Sequence, residues 1–232
     1  MEFFQNISDD FYLNFIKNDR WMYLVQGLGN TLLITVFSVI LGIFLGCIIS
    51  LVRSTHDKTG KLKIGNAICK IYLTIIRGTP TMIQLLIIYF VIFGSVDINK
   101  VFVAVLAFGI NSGAYVAEIF RGGIMSVDQG QTEAGRSLGF NYWQTMLYIV
   151  IPQSFKASLP ALCNEFIVLL KETSICCYIA LGDLTYAGNL IRSQTYSAFM
   201  PLIAVALIYL VLVMFLTYLL NKLERWLRKS EH

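Results

Sequence analysis

Residues 131–152 read QTEAGRSLGFNYWQTMLYIVIP, a polar, glycine-punctuated stretch inside a chain whose flanking segments are apolar enough to dissolve in lipid. Gln131 to Leu138 can form a short helix, and Gly139 is its natural stop, because glycine enters the left-handed region without a Cβ penalty. Asn141 and Gln144 have the spacing of a capping box at the start of a second helix, expected to run to Ile151 and to end before Pro152. On the first helix Ala134 and Leu138 are four residues apart and share a face, flanked by Glu133 and Arg136. A small apolar tip with charged flanks, pointing away from a membrane, suits a groove on a soluble partner. A connector that packs on its own protein fits the pattern equally well.

Composition sets the class around this loop. Hydrophobic residues make up 56% of the 232 positions, charged residues 14%, and the mean hydropathy is +0.67, which excludes an ordinary soluble domain and points to an all-α membrane protein of several spans. Crossing roughly 30 Å of hydrocarbon takes ~20 apolar residues in a helix. Five segments qualify: Gly27 to Ser50, Pro80 to Val96, Val101 to Phe120, Ala161 to Leu181 and Pro201 to Leu220. Between the first two, Leu62 to Ile76 reads as an amphipathic elbow on the membrane surface. Arg77-Gly78-Thr79-Pro80 marks the boundary, with Thr79 able to cap the second span and Pro80 suited to its first turn.

With the N-terminus outside, thirteen basic residues fall inside: Arg53, Lys58, Lys61, Lys63, Lys70, Arg77, Arg121, Arg136, Lys156, Lys222, Arg225, Arg228 and Lys229. Four fall outside (Lys17, Arg20, Lys100, Arg192) and Lys171 lies within a span, which accounts for all eighteen. The positive-inside rule therefore favours an N-terminus outside and a C-terminus in the cytoplasm, and the net charge of +4 reflects topology rather than nucleic-acid binding. The chain divides into an extracytoplasmic or interfacial segment (1–26), a transmembrane domain (27–221) with the cytoplasmic loop at 126–158, and a basic tail (222–232). Residues 1–20 carry Glu2, Asp9, Asp10 and Asp19 and lack the basic leader and small-residue cleavage site of a signal peptide, so they are expected to be retained. Trp21, Tyr23 and Trp226 fall at expected interfaces. Cys47, Cys69, Cys163, Cys176 and Cys177 read as packing residues, and His56 as a solvated side chain in a basic turn; neither set has metal-site spacing.

Charge inside hydrocarbon needs an explanation. Lys171 and Glu172 stand within the fourth segment, Thr173 and Ser174 extend the same patch, and Asn164 and Glu165 lie about two turns away. They face either a water-filled path or partners on neighbouring helices. In the third segment Asn111 can line a path or bridge two helices, and Gly109 with Gly113 allows close helix approach. Gln84 faces a neighbouring helix or a subunit interface. Glu118 and Arg121 are three apart and positioned to pair.

The order Glu133-Ala134-Gly135, three residues, Gly139, nine residues, Ile149-Val150-Ile151-Pro152 resembles the EAA loop of ABC importer permeases, with Gly135 and Ile151 as conservative departures. Gly27-Leu28-Gly29-Asn30-Thr31, Arg77-Gly78-Thr79-Pro80, Ala114 to Gly123 and Leu170-Lys171-Glu172-Thr173-Ser174 extend the resemblance over most of the chain, to the polar amino-acid branch. It implies a five-span permease subunit in a bacterial plasma membrane, paired with an identical or homologous permease. Two ATP-binding subunits and an extracytoplasmic solute-binding protein are the implied partners. Glu133, Ala134, Gly135, Leu138 and Gly139 would form the helix that couples to an ATPase. Asn111, Lys171, Glu172 and Thr173 would border the path, Lys171 and Glu172 meeting the carboxylate and ammonium of an amino acid. ATP and magnesium would belong to the ATPase partner, since no G-x-x-x-x-G-K-[ST] loop occurs here. An ion-gradient-driven transporter or channel is the main rival, but no internal repeat supports it. A membrane enzyme is weaker still, because Glu165 and Glu172, seven apart on one helix face, have no nucleophile or histidine for company.

Overall fold

The computed structural model describes residues 8–229, and side chains as far as Arg225; residues 1–7 and 230–232 and the Trp226 side chain lie outside the described residues. All the regular structure described is helical. A π turn (Tyr12–Ile16) and a 3-10 turn (Lys17–Asp19) lead into α1 (Trp21–Thr59), followed by α2 (Lys63–Gly78), α3 (Thr81–Ile87), α4 (Lys100–Ser126), α5 (Gln129–Ser137), α6 (Tyr142–Thr145), α7 (Ile151–Glu172), α8 (Leu184–Thr195) and α9 (Phe199–Lys229).

Three of these helices, α1, α4 and α9, are long and apolar enough to cross a membrane, and the bent pair formed by α2 and α3 with its π extension to Ile92 makes a fourth if taken as one span. The 22-residue α7 is about 33 Å long, sufficient by length, but it carries Lys156, Glu165, Lys171 and Glu172. Its placement differs from the expected Ala161 to Leu181: the α-helix begins ten residues earlier and gives way at Thr173 to a 3-10 turn (Thr173–Ile179).

The most extensive packing joins α1 to α4, and it runs opposite to a soluble protein. Besides Leu24, Ile34 and Val39, the buried stripe of α1 is made of small and hydroxyl residues (Gly27, Thr31, Thr35, Ser38, Gly42, Gly46, Ser50), whereas Phe37, Ile40, Phe44 and Ile48 point outward. Lipid solvates the large apolar side chains, so helices adhere through surfaces that allow close backbone approach. A methyl group at Gly42 would sit 2.8 Å from Ser112 Oγ, and one at Gly109 2.6 Å from Leu41 Cδ2, so glycines on both helices set the contact distance. Toward the end where α1 begins, Ile34, Leu85, Ala104, Phe108, Leu169, Cys176 and Ile179 form the main apolar cluster.

The expected elbow is helical, with one face packed and the rest largely exposed. α2 packs along α4, with Leu73 against Ala114 and Ala117 and the Tyr72 hydroxyl donating to the Ile110 carbonyl. The expected boundary is where the chain turns by 107° between α2 and α3. Pro80 rather than Thr79 occupies the N-cap position of α3, and no side chain caps it. The Thr79 hydroxyl instead donates back to Ile75 O at 2.8 Å and accepts from Gln84 Nε2 at 2.7 Å. His56 lies in the last helical turn of α1, half-buried, with Nδ1 2.8 Å from Lys61 O.

Candidate functional site

The candidate residues fall into two groups, the loop at one end of the bundle and a polar seam inside it. The loop is built by local rules. Asp128 caps α5, accepting from Gly130 N at 2.6 Å, and Gly139 leaves the helix at φ +84°, a conformation L side chains disfavour. The capping box is complete, Asn141 Oδ1 accepting from Gln144 N and Gln144 Oε1 from Asn141 N, both at 2.9 Å. The second helix does not stop at Pro152. A π turn (Met146–Val150) joins α6 to α7, and Pro152 falls in the first turn of α7, where its missing N–H is tolerated.

The loop rests on a cluster of Ile124, Met146 and Val150, so it bridges the end of α4 and the start of α7. Gly135 is buried there, and a Cβ on it would meet Ile149 Cδ1 at 2.8 Å and Thr145 Cγ2 at 3.1 Å. Gly135 thus seats the helix. Glu133, Ala134, Arg136 and Leu138 are exposed, Leu138 to 76%, with Trp143 beyond them. Between this loop and the end of α1 an open hollow of about 590 Å³ is lined by Lys58, Gln129, Glu133, Arg136, Phe140 and Tyr142.

Above the loop, Glu118 accepts from Arg121, as its spacing suggested, at 3.0 Å, and also from Arg53 of α1. The Arg53 contact spans 65 positions and has no local signature in the sequence.

In the seam, Asn111 is 1% exposed and its Nδ2 donates to Gln84 Oε1 at 2.8 Å. Gln84 Nε2 in turn donates to Ile76 O at 2.7 Å and to Thr79. Asn111 therefore bridges helices and ties down the α2–α3 bend. Thr173 is fully buried, with its hydroxyl donating to Leu170 O at 2.7 Å. Lys171 is exposed and Glu172 half-buried, and Lys171 makes no hydrogen bond or ion pair among the described residues. Ala157, Ala161, Asn164 and Lys171 form one exposed face of α7. Sequence reasoning missed the pair beside it, Ser112 Oγ donating to Glu165 Oε1 at 2.9 Å, because the two are 53 positions apart.

Residues 38–229 match the family model described as binding-protein-dependent transport system inner membrane component. The chain is 38% identical over 211 residues to the arginine transport system permease protein ArtQ of Bacillus subtilis, covering 90% of this chain and 94% of that one. It is 34% identical over 205 residues to the glutamine transport system permease protein GlnP of Escherichia coli strain K12, covering 87% and 91%. A crystal structure of an amino acid ABC transporter with histidines superposes with a TM-score of 0.82 at 41% identity, over 91% of this chain and 97% of that chain. An inward-facing methionine ABC transporter, at 19% identity and TM-score 0.75, shares the fold. On the extent of these matches, the chain belongs to the family of binding-protein-dependent transport system inner membrane components.

Proposed function

We propose that this chain is the five-span permease subunit of an ATP-driven importer for a polar amino acid, with its N-terminus outside and the 126–158 loop in the cytoplasm. Two such subunits, identical or homologous, face each other, and each receives one ATPase. The arginine and glutamine systems named for the relatives support the substrate class, and nothing in them favours the ion-driven alternative. The observation that carries the reading is α5: a helix fixed at both ends, seated by Gly135, that presents Leu138 and the Glu133 and Arg136 charges to solvent.

The mechanism follows from how α5 is attached. Because α5 seats on Thr145 and Ile149, and Met146 and Val150 of the same segment pack on Ile124 of α4, a partner that grips Leu138 moves those helices together. The same helices carry Ser112 and Glu165, so motion at the loop reaches the seam. The Glu118–Arg53 ion pair makes α1 follow. Lys171 and Asn164, on the open face of α7, border the path between the paired subunits, where water and a solute carboxylate replace lipid. The chain itself is a transport subunit and not an enzyme; hydrolysis of ATP with magnesium takes place on the separate ATPase.

The test is reconstitution with the ATPase subunit in liposomes. Leu138→Asp should reduce ATPase co-purification about tenfold or more, and uptake by wild type should require internal ATP. If Leu138→Asp retains the ATPase and uptake follows an ion gradient instead, the loop is a connector and the importer reading falls.

A further inference from the structure

Along α2 the isoleucines recur at helical spacing. Ile64, Ile68, Ile71 and Ile75 are each more than half exposed and form one apolar stripe. Lys63, Lys70, Thr74 and Arg77, also exposed, form the neighbouring face, while Asn66 and Leu73 are buried. An apolar stripe bordered by cations is the pattern of a helix that meets lipid chains and lipid headgroups together.

The basic face borders a hollow. Arg53 of α1, Lys70, Leu73, Thr74 and Arg77 of α2 and Glu118 of α4 line an open space of about 510 Å³. It belongs to the loop end of the bundle, because Arg53 lies about two turns before the end of α1, whose Lys58 and Thr59 line the hollow beside α5. Its positive charge is not neutralised from within. Glu118 is the one carboxylate among the lining residues, and it is already held by Arg53 and Arg121. Lys70 makes no hydrogen bond or ion pair among the described residues. Arg77 lies with its guanidinium over the Tyr115 ring, 5.7 Å from the centroid, a contact that leaves its N–H groups to other acceptors. Arg53 Nε is buried and donates to nothing among the described residues. A buried donor left unsatisfied is costly, so the hollow calls for an acceptor that the chain does not supply.

We infer that this hollow is the headgroup site of an anionic phospholipid, its phosphate received by Lys70 and Arg77 and an acyl chain lying along the isoleucine stripe. Contacts from lysine or arginine to phosphate oxygens are stronger than those between neutral groups. The stripe supplies the apolar half of the site, which a free phosphate or a solute carboxylate would leave unused. The site goes beyond the transport reading; only its leaflet, the cytoplasmic one, rests on the orientation proposed above.

The experiment measures thermal unfolding of the purified full-length chain in an uncharged maltoside detergent with added phosphatidylglycerol or phosphatidylcholine, and counts retained lipid by native mass spectrometry. Phosphatidylglycerol at saturation should raise the wild-type midpoint by about 5 °C or more over phosphatidylcholine, with the lipid retained. Lys70→Gln combined with Arg77→Gln should lose most of that shift and the retained lipid. Lys70→Arg with Arg77→Lys, which keeps both charges, should preserve them, and so should Lys222→Gln with Arg225→Gln, which removes as many charges elsewhere. Equal shifts in all variants, an equal shift from phosphatidylcholine, or the same shift from inorganic phosphate would each overturn the lipid site. The wild-type comparison of the two lipids and of inorganic phosphate needs no variant, so it decides even where the glutamine pair does not fold. None of these outcomes depends on whether ATP drives uptake, so the importer reading stands or falls separately.

Discussion

At position 46 a side chain is excluded by neighbours that the local sequence does not reveal. A methyl group there would fall 2.5 Å from Val116 Cγ1 and 2.9 Å from the Ala117 nitrogen, so α1 and α4 would have to separate. Gly46→Ala should therefore destabilise the chain by about 1–3 kcal/mol, read as a lower thermal midpoint in detergent. Gly29→Ala, with nothing within 4 Å, is the control and should show no loss. The contrast with Gly139 is instructive. Its role was legible because a left-handed stop between two short helices is a local demand, met at φ +84°. Gly135 was read only as a small residue in a motif; that it seats α5 against Ile149 and Thr145 depends on how the second helix folds back. At Lys171 the chemistry was legible and its exposure was not. If Lys171 meets the solute carboxylate, Lys171→Gln should raise the uptake KM about tenfold or more, with Lys171→Arg recovering part of it; an unchanged KM would remove it from the path.

Elements were legible where their ends are marked by capping chemistry and less so where tertiary packing sets them. The bend between α2 and α3 was visible in Arg77-Gly78-Thr79-Pro80, but its fixing by Gln84, which links Ile76, Thr79 and Asn111, required three helices in place. A double-mutant cycle of Gln84→Leu and Asn111→Leu should give a coupling energy of roughly 0.5–2 kcal/mol by reversible unfolding in bicelles. Additive effects would mean that the bend is held by Pro80 and sterics alone. The continuation of α7 through Pro152 was misread for a related reason. Proline ends a helix only when the bond it removes has no substitute, and the π turn before it places it where an N–H is not needed.

The whole molecule is a helical bundle that presents α5 at one end, with the Glu118 ion pairs and the Ser112–Glu165 pair inside it. Its orientation is testable directly. Lys17→Cys should react with an impermeant thiol reagent in intact cells, and Lys222→Cys only after the membrane is opened; the reverse pattern would invert the topology derived from charge. Membrane residence, the loop with its caps and the asymmetry of basic residues follow from the sequence by itself, because hydropathy, capping and charge bias are properties of short stretches read one at a time. Tertiary structure alone decided that Asn111 bridges while Lys171 stays open, that Arg53 joins Glu118, that Ser112 meets Glu165 and that Asn14 and Arg20 brace α8. Each of these depends on which faces of segments distant in the chain are brought together. In a bilayer that choice is made by small residues and glycines whose packing partners lie dozens of positions away.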